Sequence, residues 1–352
     1  MTMIREDTMG KLKALVTAET IPSILEANLG DIIDFTYDGY AIDHEVMSQE
    51  TLISVISGYD ILICEYDTIS RAVLDAAENL KMIICCRGGV KSVVDLDAAM
   101  EKGIIVCNNG GRNAEAVTDM TMGYILDLTR NISQTSQMIH SKVLTADIST
   151  KPQEYQDTVW GLDNNSPFIK YRGRSINHMT LGIIGFGNAG KLLAKKADAF
   201  GMKILAYDPY SDFKDKPEYV DIANWNTVIS ESDIISVHCV LTPQTKNMFS
   251  KKEFDKMKDN SYFINTSRGE LVVEEDLVNA LKTRKLAGAA LDVTRKEPIS
   301  ADSILIGVDN LIITPHIAGS ADDVQFCGTK MIVESLNDFI NGKKPRNYVV
   351  YR

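Results

Sequence analysis

The chain has 352 residues, of which 45% are hydrophobic and 24% are charged, and its formal net charge at pH 7 is −11. This length is sufficient for two domains with separate cores. The acidic balance argues against a nucleic-acid partner and against binding to an anionic membrane surface. No apolar run approaches the roughly 18 residues of a membrane span, and the N-terminus lacks the apolar segment of a signal peptide.

Cysteine usage points to a reducing compartment. The six cysteines form no CxxC pair and no Cys/His spacing typical of a zinc site, and most of them lie in aliphatic runs, as buried free thiols do. They are Cys64, Cys85, Cys86, Cys107, Cys239 and Cys327. We therefore expect a cytoplasmic protein without a bound metal.

The first 110 residues alternate between short apolar runs and amphipathic segments. The clearest helical patterns cover 69–80 and 93–102. Apolar runs predict strands at 12–16, 32–35, 61–64, 81–86 and 103–107. Continuous apolar strands between helices are typical of a parallel sheet that is covered on both faces. This part of the chain therefore predicts one doubly wound α/β domain, and it contains no glycine-rich nucleotide motif.

A long helix and then an irregular stretch follow. Asn113 is a candidate cap for a helix that begins near Ala114. One apolar stripe along this helix consists of Val117, Met120, Tyr124 and Leu128. Residues 142–175 have no periodic pattern and predict a long surface excursion, whose length suggests a function.

The strongest local signal is the segment Gly185-Phe-Gly-Asn-Ala-Gly190. It lies between an apolar run and a helical segment, and a second apolar run then ends at Asp208. This order is that of a dinucleotide-binding unit, in which Gly185 permits a tight turn, Gly187 admits a pyrophosphate and Gly190 allows close packing. The helix N-terminus favours an anion. Asp208 accepts a hydrogen bond from a ribose 2′-OH and repels a 2′-phosphate, so NAD is favoured over NADP. The predicted cofactor contacts in this unit are Gly185, Gly187, Asn188, Ala189, Gly190, Asp208 and Pro209.

Alternation of strands and helices resumes after the excursion. Strands are predicted at 181–184, 203–207, 233–239, 261–265, 287–293 and 311–314, and a helix is predicted from Gly319 to about Ile340. Polar residues follow the last three strands: Arg268, then Asp292 and Glu297, then His316. Ligands bind outside the carboxyl ends of the strands in an open parallel sheet. We therefore expect these residues to share an edge with the glycine turn.

The residue types at this edge suit hydride transfer. Oxidation of an alcohol needs a base, reduction of a ketone needs an acid, and histidine can be either near neutral pH. A carboxylate such as Glu297 orients the imidazole of His316 and favours its protonated form. An arginine such as Arg268 binds a carboxylate in a bidentate manner and polarises the adjacent carbonyl. His238 ends a predicted strand, and its alternatives are a place in the lining of the site or, as we rather expect, a role in core packing or at the surface.

These features together resemble the NAD-dependent D-2-hydroxyacid dehydrogenases. The motifs that carry the resemblance are Asn113-Ala-Glu-Ala-Val, the glycine segment, Val240-Leu-Thr-Pro-Gln-Thr, Asn265-Thr-Ser-Arg-Gly-Glu-Leu-Val, Gly288-Ala-Ala-Leu-Asp-Val with Glu297-Pro, and Thr314-Pro-His-Ile-Ala-Gly. The resemblance implies a Rossmann NAD-binding domain, 113–317, inserted into a flavodoxin-like substrate domain, 1–112 and 318–352. It is to the short type without a regulatory domain, and it implies a homodimer built around the helix from Asn113 and the excursion.

The same resemblance implies roles for individual residues. Arg268 binds the substrate, His316 is the acid–base and Glu297 is its partner. Beside the nicotinamide half of the cofactor it places Arg268, His316, Asp292, Thr266 and the turn from Cys239 to Thr242.

A second substrate contact is implied in the first domain. The family's glycine loop donates backbone N–H groups to the substrate carboxylate, and here it corresponds to Gly88, Gly89 and Val90, after Arg87. The family's usual Gly-x-Asp-Asn-Ile-Asp is replaced by Lys91-Ser-Val-Val-Asp95, which leaves the donors open. With Arg112, the basic residues Arg87 and Lys91 suggest a second anionic or polyhydroxylated group on the substrate.

The expected function is NAD-dependent hydride transfer at C2 of a D-2-hydroxy or 2-oxo acid. A phosphorylated or sugar-derived acid such as 3-phosphoglycerate is one expected substrate, and glyoxylate or hydroxypyruvate is the alternative. Formate or phosphite oxidation and a corepressor-like protein that senses NAD are further alternatives. No nucleic-acid or membrane partner is expected.

Overall fold

The structure is a computed structural model that describes residues 10–145, 166–214 and 216–350. The chain divides into two compact units, one formed by 1–113 with 320–352 and the other by 114–319. Most of the predicted excursion, residues 146–165, lies outside the described residues. Outside that gap, the excursion region contains only the short helix Pro167–Lys170.

The described strands are, in chain order, β1 (Leu12–Val16), β2 (Ile33–Tyr37), β3 (Ile61–Cys64), β4 (Met82–Cys85), β5 (Ile105–Asn108), β6 (Thr180–Ile184), β7 (Lys203–Tyr207), β8 (Val220–Ile222), β9 (Ile234–Val237), β10 (Ser261–Asn265), β11 (Leu286–Leu291), β12 (Leu311–Ile313) and β13 (Tyr348–Val350). The helices are α1 (Pro22–Leu29), α2 (Tyr40–Asp43), α3 (Gln49–Val55), α4 (Arg71–Ala76), α5 (Leu96–Glu101), α6 (Ala114–Arg130), α7 (Ile132–His140), α8 (Pro167–Lys170), α9 (Asn188–Ala199), α10 (Trp225–Glu231), α11 (Lys251–Lys256), α12 (Glu274–Lys282) and α13 (Asp323–Ile340).

The sheet of the first unit has the order β13-β5-β4-β3-β1-β2. Strands β1 to β5 are parallel, and their order 2-1-3-4-5 is the flavodoxin-like one. The doubly wound sheet is thereby confirmed. One detail differs, because β13 pairs with β5 in the antiparallel direction. Its three residues are too few for a periodic signal in the sequence, and only the return of the chain to the sheet edge makes them a strand.

Side chains of the central strands alternate between two cores. In β3, Leu62 and Cys64 join the core under α3, α4 and α5, whereas Ile61 and Ile63 join the core under α1 and α13. Burial on both faces explains why these strands are continuous apolar runs rather than alternating ones. Burying one such aliphatic side chain contributes about 1.5–3 kcal/mol.

The sheet of the second unit is parallel throughout, in the order β12-β11-β10-β9-β6-β7-β8. Strand β6 lies near its centre, as the first strand of a Rossmann fold does. Helices α6 and α9 cover one face, and α10, α11 and α12 cover the other. Since all seven strands run in one direction, the loops after β6, β7, β9, β10, β11 and β12 emerge at the same edge.

Two of the predicted strands end two residues too late, whereas the predicted strand 261–265 agrees with β10. Strand β9 ends at Val237 rather than 239, and β11 ends at Leu291 rather than 293. In each case the chain turns away to place the next side chains at the edge. The short edge strand β8 is absent from the sequence-based prediction.

Four of the six cysteines, Cys64, Cys85, Cys86 and Cys107, are buried, and all six are free. Within 10–145, 166–214 and 216–350, no cluster of three or more His, Cys, Asp or Glu residues is arranged to hold a metal ion. None of the described helices is long and apolar enough to span a membrane.

Candidate active site

The glycine turn after β6 is shaped by backbone contacts. Gly185 has φ = +95°, and a Cβ atom there would lie 2.7 Å from the carbonyl of His238. A Cβ atom on Gly190 would lie 2.2 Å from the carbonyl oxygen of Gly185, so helix α9 can approach the turn only if this residue is glycine. Around Gly187, by contrast, nothing lies within 4 Å of such an atom. The turn therefore closes tightly at two glycines and leaves open space at the third.

This geometry fits the pyrophosphate of a dinucleotide. Gly187 precedes Asn188 and Ala189 in the first turn of the 12-residue helix α9. The unpaired N–H groups and the dipole at a helix N-terminus favour an anion. The open space at Gly187 is where a phosphate group can approach the backbone.

Asp208 lies directly after β7, beside the turn. One carboxylate oxygen accepts from the N–H of Phe186 at 2.8 Å, and the other accepts from the N–H of Tyr210 at 2.9 Å, across Pro209. Each oxygen keeps a further lone pair for a ribose hydroxyl. The carboxylate thus stands at the predicted place, and it also ties β7 to the glycine turn.

The other predicted cofactor contacts lie at the ends of β9 and β10. The thiol of Cys239 contacts the sulfur of Met248 at 3.6 Å, and burial raises the pKa of Cys239 to about 11. Thr242 is held by Thr245 within the turn. The hydroxyl of Thr266 is buried and has no hydrogen-bond partner among the described residues. Because an unpaired buried hydroxyl is costly, it fits a hydrogen bond to a bound group.

His238 is not an acid–base candidate. Its Nε2 lies 2.8 Å from the hydroxyl of Ser236, and burial lowers the pKa of His238 to about 4. The ring is therefore neutral near pH 7, and its backbone packs against Gly185. Of the alternatives for His238, a packing role fits this environment.

A buried carboxylate organises the loop after β12. Asp292 is 1% exposed and accepts from the Thr314 hydroxyl at 2.5 Å and from the N–H groups of Ile317 and Ala318 at 2.9 and 2.8 Å. The N–H of His316 donates to the Asp292 carbonyl at 2.8 Å. Both carboxylate oxygens are thus bound to the loop, and the placement of Asp292 beside the nicotinamide stays a prediction.

The side chains of His316 and Glu297 form a hydrogen-bonded pair. Nδ1 of His316 lies 2.7 Å from one oxygen of Glu297, whose other oxygen accepts from the N–H of Thr294 at 3.1 Å. Their side chains are 46% and 39% exposed. An ionised carboxylate can only accept, so Nδ1 carries the proton in this pair. Nε2 is then the nitrogen that can give or take a proton elsewhere.

Arg268 is exposed on a loop whose backbone is fixed from two sides. The buried amide of Asn265 donates to the Arg268 carbonyl at 2.8 Å, and the Ser267 hydroxyl donates to the carbonyl of Val237 at 2.7 Å. A Cβ atom on Gly269 would lie 2.1 Å from the carbonyl carbon of Thr294, so this loop packs on the one that carries Glu297. Among the described residues, Arg268 makes no hydrogen bond to His316 or Glu297, and its guanidinium bonds only to the Ser267 carbonyl, at 2.5 Å.

The predicted substrate loop of the first unit follows β4. Two of its carbonyl groups accept hydrogen bonds. The Asn108 amide donates to the carbonyl of Gly88 at 3.1 Å, and the Ser92 hydroxyl donates to the carbonyl of Gly89 at 3.0 Å. The N–H groups of Gly88, Gly89 and Val90 donate to no acceptor in the described part of the chain. Three unpaired N–H groups in a row suit a carboxylate.

The predicted positive charge beside this loop is smaller than expected. The guanidinium of Arg112 binds the carboxylate of Glu65, whose side chain is only 3% exposed. The charge of Arg112 is therefore neutralised within the fold. Arg87 is exposed and lies over the ring of Tyr66, with 5.2 Å between its guanidinium carbon and the ring centroid. Nothing in the sequence marks Glu65 as the partner of a residue 47 positions away.

Sequence reasoning also missed two residues at the edge of the second unit. The apolar stripe on α6 includes Tyr124, but its hydroxyl lies 2.5 Å from that of Thr314. Asn265 is part of one of the motifs, but its hydrogen bond to the Arg268 loop was not predicted. A tyrosine within an apolar helical stripe is the one signal that could have suggested a buried polar contact.

A parallel sheet of this order with a glycine turn at its edge is that of a Rossmann nucleotide-binding unit, and a hydrogen-bonded histidine and glutamate lie at the same edge. Comparison with known protein families supports this assignment of a nucleotide-binding unit. Residues 122–318, more than half of the chain, match the model of the D-isomer specific 2-hydroxyacid dehydrogenase NAD binding domain. The chain belongs to the D-isomer specific 2-hydroxyacid dehydrogenase family, and its second unit is an NAD-binding domain.

Individual relatives extend the similarity into the first unit. The hydroxypyruvate reductase of Thermotoga maritima is 34% identical over 289 residues, which are 81% of this chain and 86% of that protein. The D-3-phosphoglycerate dehydrogenase of Archaeoglobus fulgidus is 33% identical over 306 residues, which are 86% of this chain and 54% of that protein. The chain spans only 54–59% of the length of several curated relatives. Among solved structures, the TT0316 protein from Thermus thermophilus has a TM-score of 0.73 at 28% identity, covering 96% of this chain and 100% of that one.

Two glycine substitutions separate cofactor binding from folding. Gly187→Ala should change the free energy of unfolding by no more than about 1 kcal/mol, because its Cβ meets open space. It should nevertheless raise the Kd for NADH by about tenfold or more, since the methyl group stands where a phosphate approaches. Gly190→Ala should cost about 1–3 kcal/mol of stability through overpacking. Urea denaturation and NADH fluorescence titration measure the two effects, and normal NADH affinity in Gly187→Ala would contradict this assignment.

Proposed function

We propose that the protein is an NAD-dependent oxidoreductase that transfers a hydride between the nicotinamide and C2 of a D-2-hydroxy or 2-oxo acid. The observation that carries the proposal is the contact between His316 and Glu297 at the strand edge that also bears the glycine turn. The names of the relatives, hydroxypyruvate reductase and D-3-phosphoglycerate dehydrogenase, support the same class of reaction.

The proposed chemistry divides between the cofactor and the chain. NAD, when bound, supplies the hydride acceptor, and NADH supplies the donor. Nε2 of His316 takes the proton of the C2 hydroxyl in oxidation and returns it to the C2 oxygen in reduction. Glu297 holds Nδ1, which orients the ring and stabilises the positive charge that develops on it.

Arg268 is proposed to bind the substrate carboxylate. Its guanidinium is exposed and makes no ion pair in the described part of the chain, while its backbone is anchored through Asn265. A planar fork on a fixed loop suits bidentate recognition of a carboxylate. The same positive charge stabilises negative charge that develops on the adjacent oxygen during reduction.

Substitutions at the pair test this mechanism. His316→Gln should lower kcat/KM for 2-oxo acid reduction by about 10²–10⁴-fold, because it removes the proton donor. Glu297→Gln should have a smaller effect, since it keeps the size of the side chain and removes only its charge. NADH-coupled assays with glyoxylate, hydroxypyruvate and 3-phosphohydroxypyruvate measure the rates.

The control is the affinity for NADH, which should fall far less than kcat/KM in either variant, although His316 is expected beside the nicotinamide. A His316→Gln enzyme with near-normal turnover on its best substrate would refute the mechanism. If the wild-type protein bound NADH but reduced none of the acids, a protein that senses NAD would be the better interpretation.

We propose further that the loop Arg87–Val90 contacts the substrate, which carries a phosphate or several hydroxyls beyond C3. The three unpaired N–H groups of Gly88, Gly89 and Val90 support a carboxylate contact. Arg87, steadied on the ring of Tyr66, is available for the additional group. Arg112 is left out of this proposal because its guanidinium is bound to Glu65.

Substrate comparison tests the role of Arg87. Arg87→Ala should raise KM for 3-phosphohydroxypyruvate, or for a 2-oxo sugar acid, by roughly 10–100-fold, because the substitution removes a hydrogen bond between charged groups. KM for glyoxylate, which has no group beyond C2, should change less than about twofold. Lys13→Ala, at an exposed cation near the start of β1 and therefore at the opposite edge of the sheet, is the control. Equal effects of Arg87→Ala on large and small substrates would remove the proposal.

A homodimer is proposed for the assembly. Four large apolar side chains on α7 or in the described chain after it are exposed, so a monomer would present them to water: Ile132, Ile139, Val143 and Phe168. Ile132 and Ile139 are seven residues apart and therefore share one face of the helix. Exposed apolar side chains that share a helix face suit burial against a second copy of the chain.

Light scattering tests the dimer. In size-exclusion chromatography with light-scattering detection, the protein, whose chain has a mass of 39.0 kDa, should have twice that mass, 78 kDa. Ile132→Glu combined with Ile139→Glu should shift it to the monomer, because charge on this face opposes burial. Lys142→Glu, a charge change on a nearby exposed residue, serves as the control, and a monomeric wild-type protein would contradict the proposal.

The cytoplasm is the proposed compartment. Its support is the set of six free cysteines, four of which are buried, since reduced thiols are typical of a reducing compartment. Cell fractionation would locate the protein, and recovery from an oxidising compartment would contradict this placement.

A further inference from the structure

We infer that Tyr124 and Thr314 are positioning residues for His316. The two hydroxyls lie 2.5 Å apart, and the Thr314 hydroxyl is also 2.5 Å from an oxygen of Asp292. An ionised carboxylate accepts only, so Thr314 donates its one proton to Asp292. Its oxygen then accepts the proton of Tyr124. Two successive hydrogen bonds therefore connect Tyr124 on helix α6, through the Thr314 hydroxyl, to the Asp292 carboxylate that binds the His316 loop.

The Tyr124 end of this chain is buried. Tyr124 is 5% exposed, and its hydroxyl points to the loop after β12 rather than to solvent. Burial and the nearby carboxylate of Asp292 raise the pKa of Tyr124 to about 12, so the phenol keeps its proton and remains a donor. A helix residue 190 positions away from Thr314 in the sequence thus supplies the outermost hydrogen bond of the loop.

The loop needs such support because His316 has an unusual backbone. Its φ is +57°, in the left-handed region that residues other than glycine seldom adopt. On one side of His316, Asp292 accepts from the Thr314 hydroxyl, and on the other it accepts from the N–H groups of Ile317 and Ala318. A conformation of this kind persists only when several contacts determine it together.

Loss of the Thr314 hydroxyl would remove one of these contacts and leave Tyr124 without its partner. We expect the loop to relax toward ordinary backbone angles, which moves the imidazole away from Glu297. A displacement of about 1 Å is sufficient to cost roughly 100-fold in rate. The inference rests on the proposed function, because it concerns the residue to which that function assigns proton transfer.

A set of four variants tests the inference on the full-length protein. Thr314→Val keeps the shape of the side chain and removes its hydroxyl, and Thr314→Ser restores the hydroxyl. Tyr124→Phe removes only the outer donor, and the fourth variant combines Tyr124→Phe with Thr314→Val. The measurements are kcat and KM for 2-oxo acid reduction, Kd for NADH, and Tm.

The expected pattern is a change in kcat with little change in binding. Thr314→Val should lower kcat by roughly 30–100-fold and change Kd for NADH less than about twofold. Thr314→Ser should stay within about threefold of wild type, and Tyr124→Phe should lower kcat by about fivefold. The double variant should equal Thr314→Val alone, because Tyr124 acts only through the Thr314 oxygen. Additive effects of the two substitutions would overturn the inference, as would normal kcat in Thr314→Val.

A second readout separates this inference from the proposed function. The imidazole NMR signals of His316, assigned with His316→Gln, report its contact with Glu297 whether or not the protein turns over an acid. Thr314→Val and Tyr124→Phe should shift and broaden these signals, and Thr314→Ser should restore them. Unchanged signals would refute the positioning role. Absence of turnover in the wild-type protein would instead refute the proposed function. If Thr314→Val does not fold, Tyr124→Phe still decides the inference through both readouts.

Discussion

The buried carboxylate of Asp292 is the constraint on which the geometry of the candidate site depends. It lies at the end of β11 and receives three hydrogen bonds from the loop after β12, and the backbone N–H of the same residue donates to the carbonyl of Asn265 at the end of β10. Asn265 in turn holds the Arg268 loop. Two buried polar side chains on neighbouring strands therefore fix the loops that carry both Arg268 and His316. Such groups are tolerated inside a protein only when their hydrogen bonds are satisfied, and these bonds define the loop shapes.

The same edge combines rigid and exposed elements in a way that suits chemistry. The central strands beneath it are fully buried, whereas the side chains of His316, Glu297 and Arg268 reach solvent. Loops anchored on a packed sheet keep such side chains in place while leaving them exposed to solvent. The glycine turn follows the same principle, because its backbone is closed at Gly185 and Gly190 and open at Gly187.

Much of the fold and the core of the site could be predicted from local patterns. Continuous apolar strands between helices predicted both doubly wound sheets, and the spacing of the glycines and Asp208 predicted the nucleotide turn. The Glu297–His316 contact was predicted because parallel strands bring their carboxyl ends to one edge. Arg112 shows where such reasoning fails. Its charge was predicted to serve a substrate, but no pattern in the chain signals that Glu65, 47 residues earlier, lies against it.

Local patterns were enough to define the class of the protein: an NAD-binding Rossmann unit, and an arginine, a glutamate and a histidine at strand ends. These features depend on short-range periodicity and on glycine spacing, and both can be recognised within a few residues of sequence. The pairing of polar groups, in contrast, emerged from the folded chain: Glu65 with Arg112, Asp292 with the His316 loop, and Tyr124 with Thr314. These pairs join residues between 22 and 190 positions apart, and their partners are selected by packing and by the need to satisfy buried hydrogen bonds. No local sequence pattern indicates which of these residues will pair.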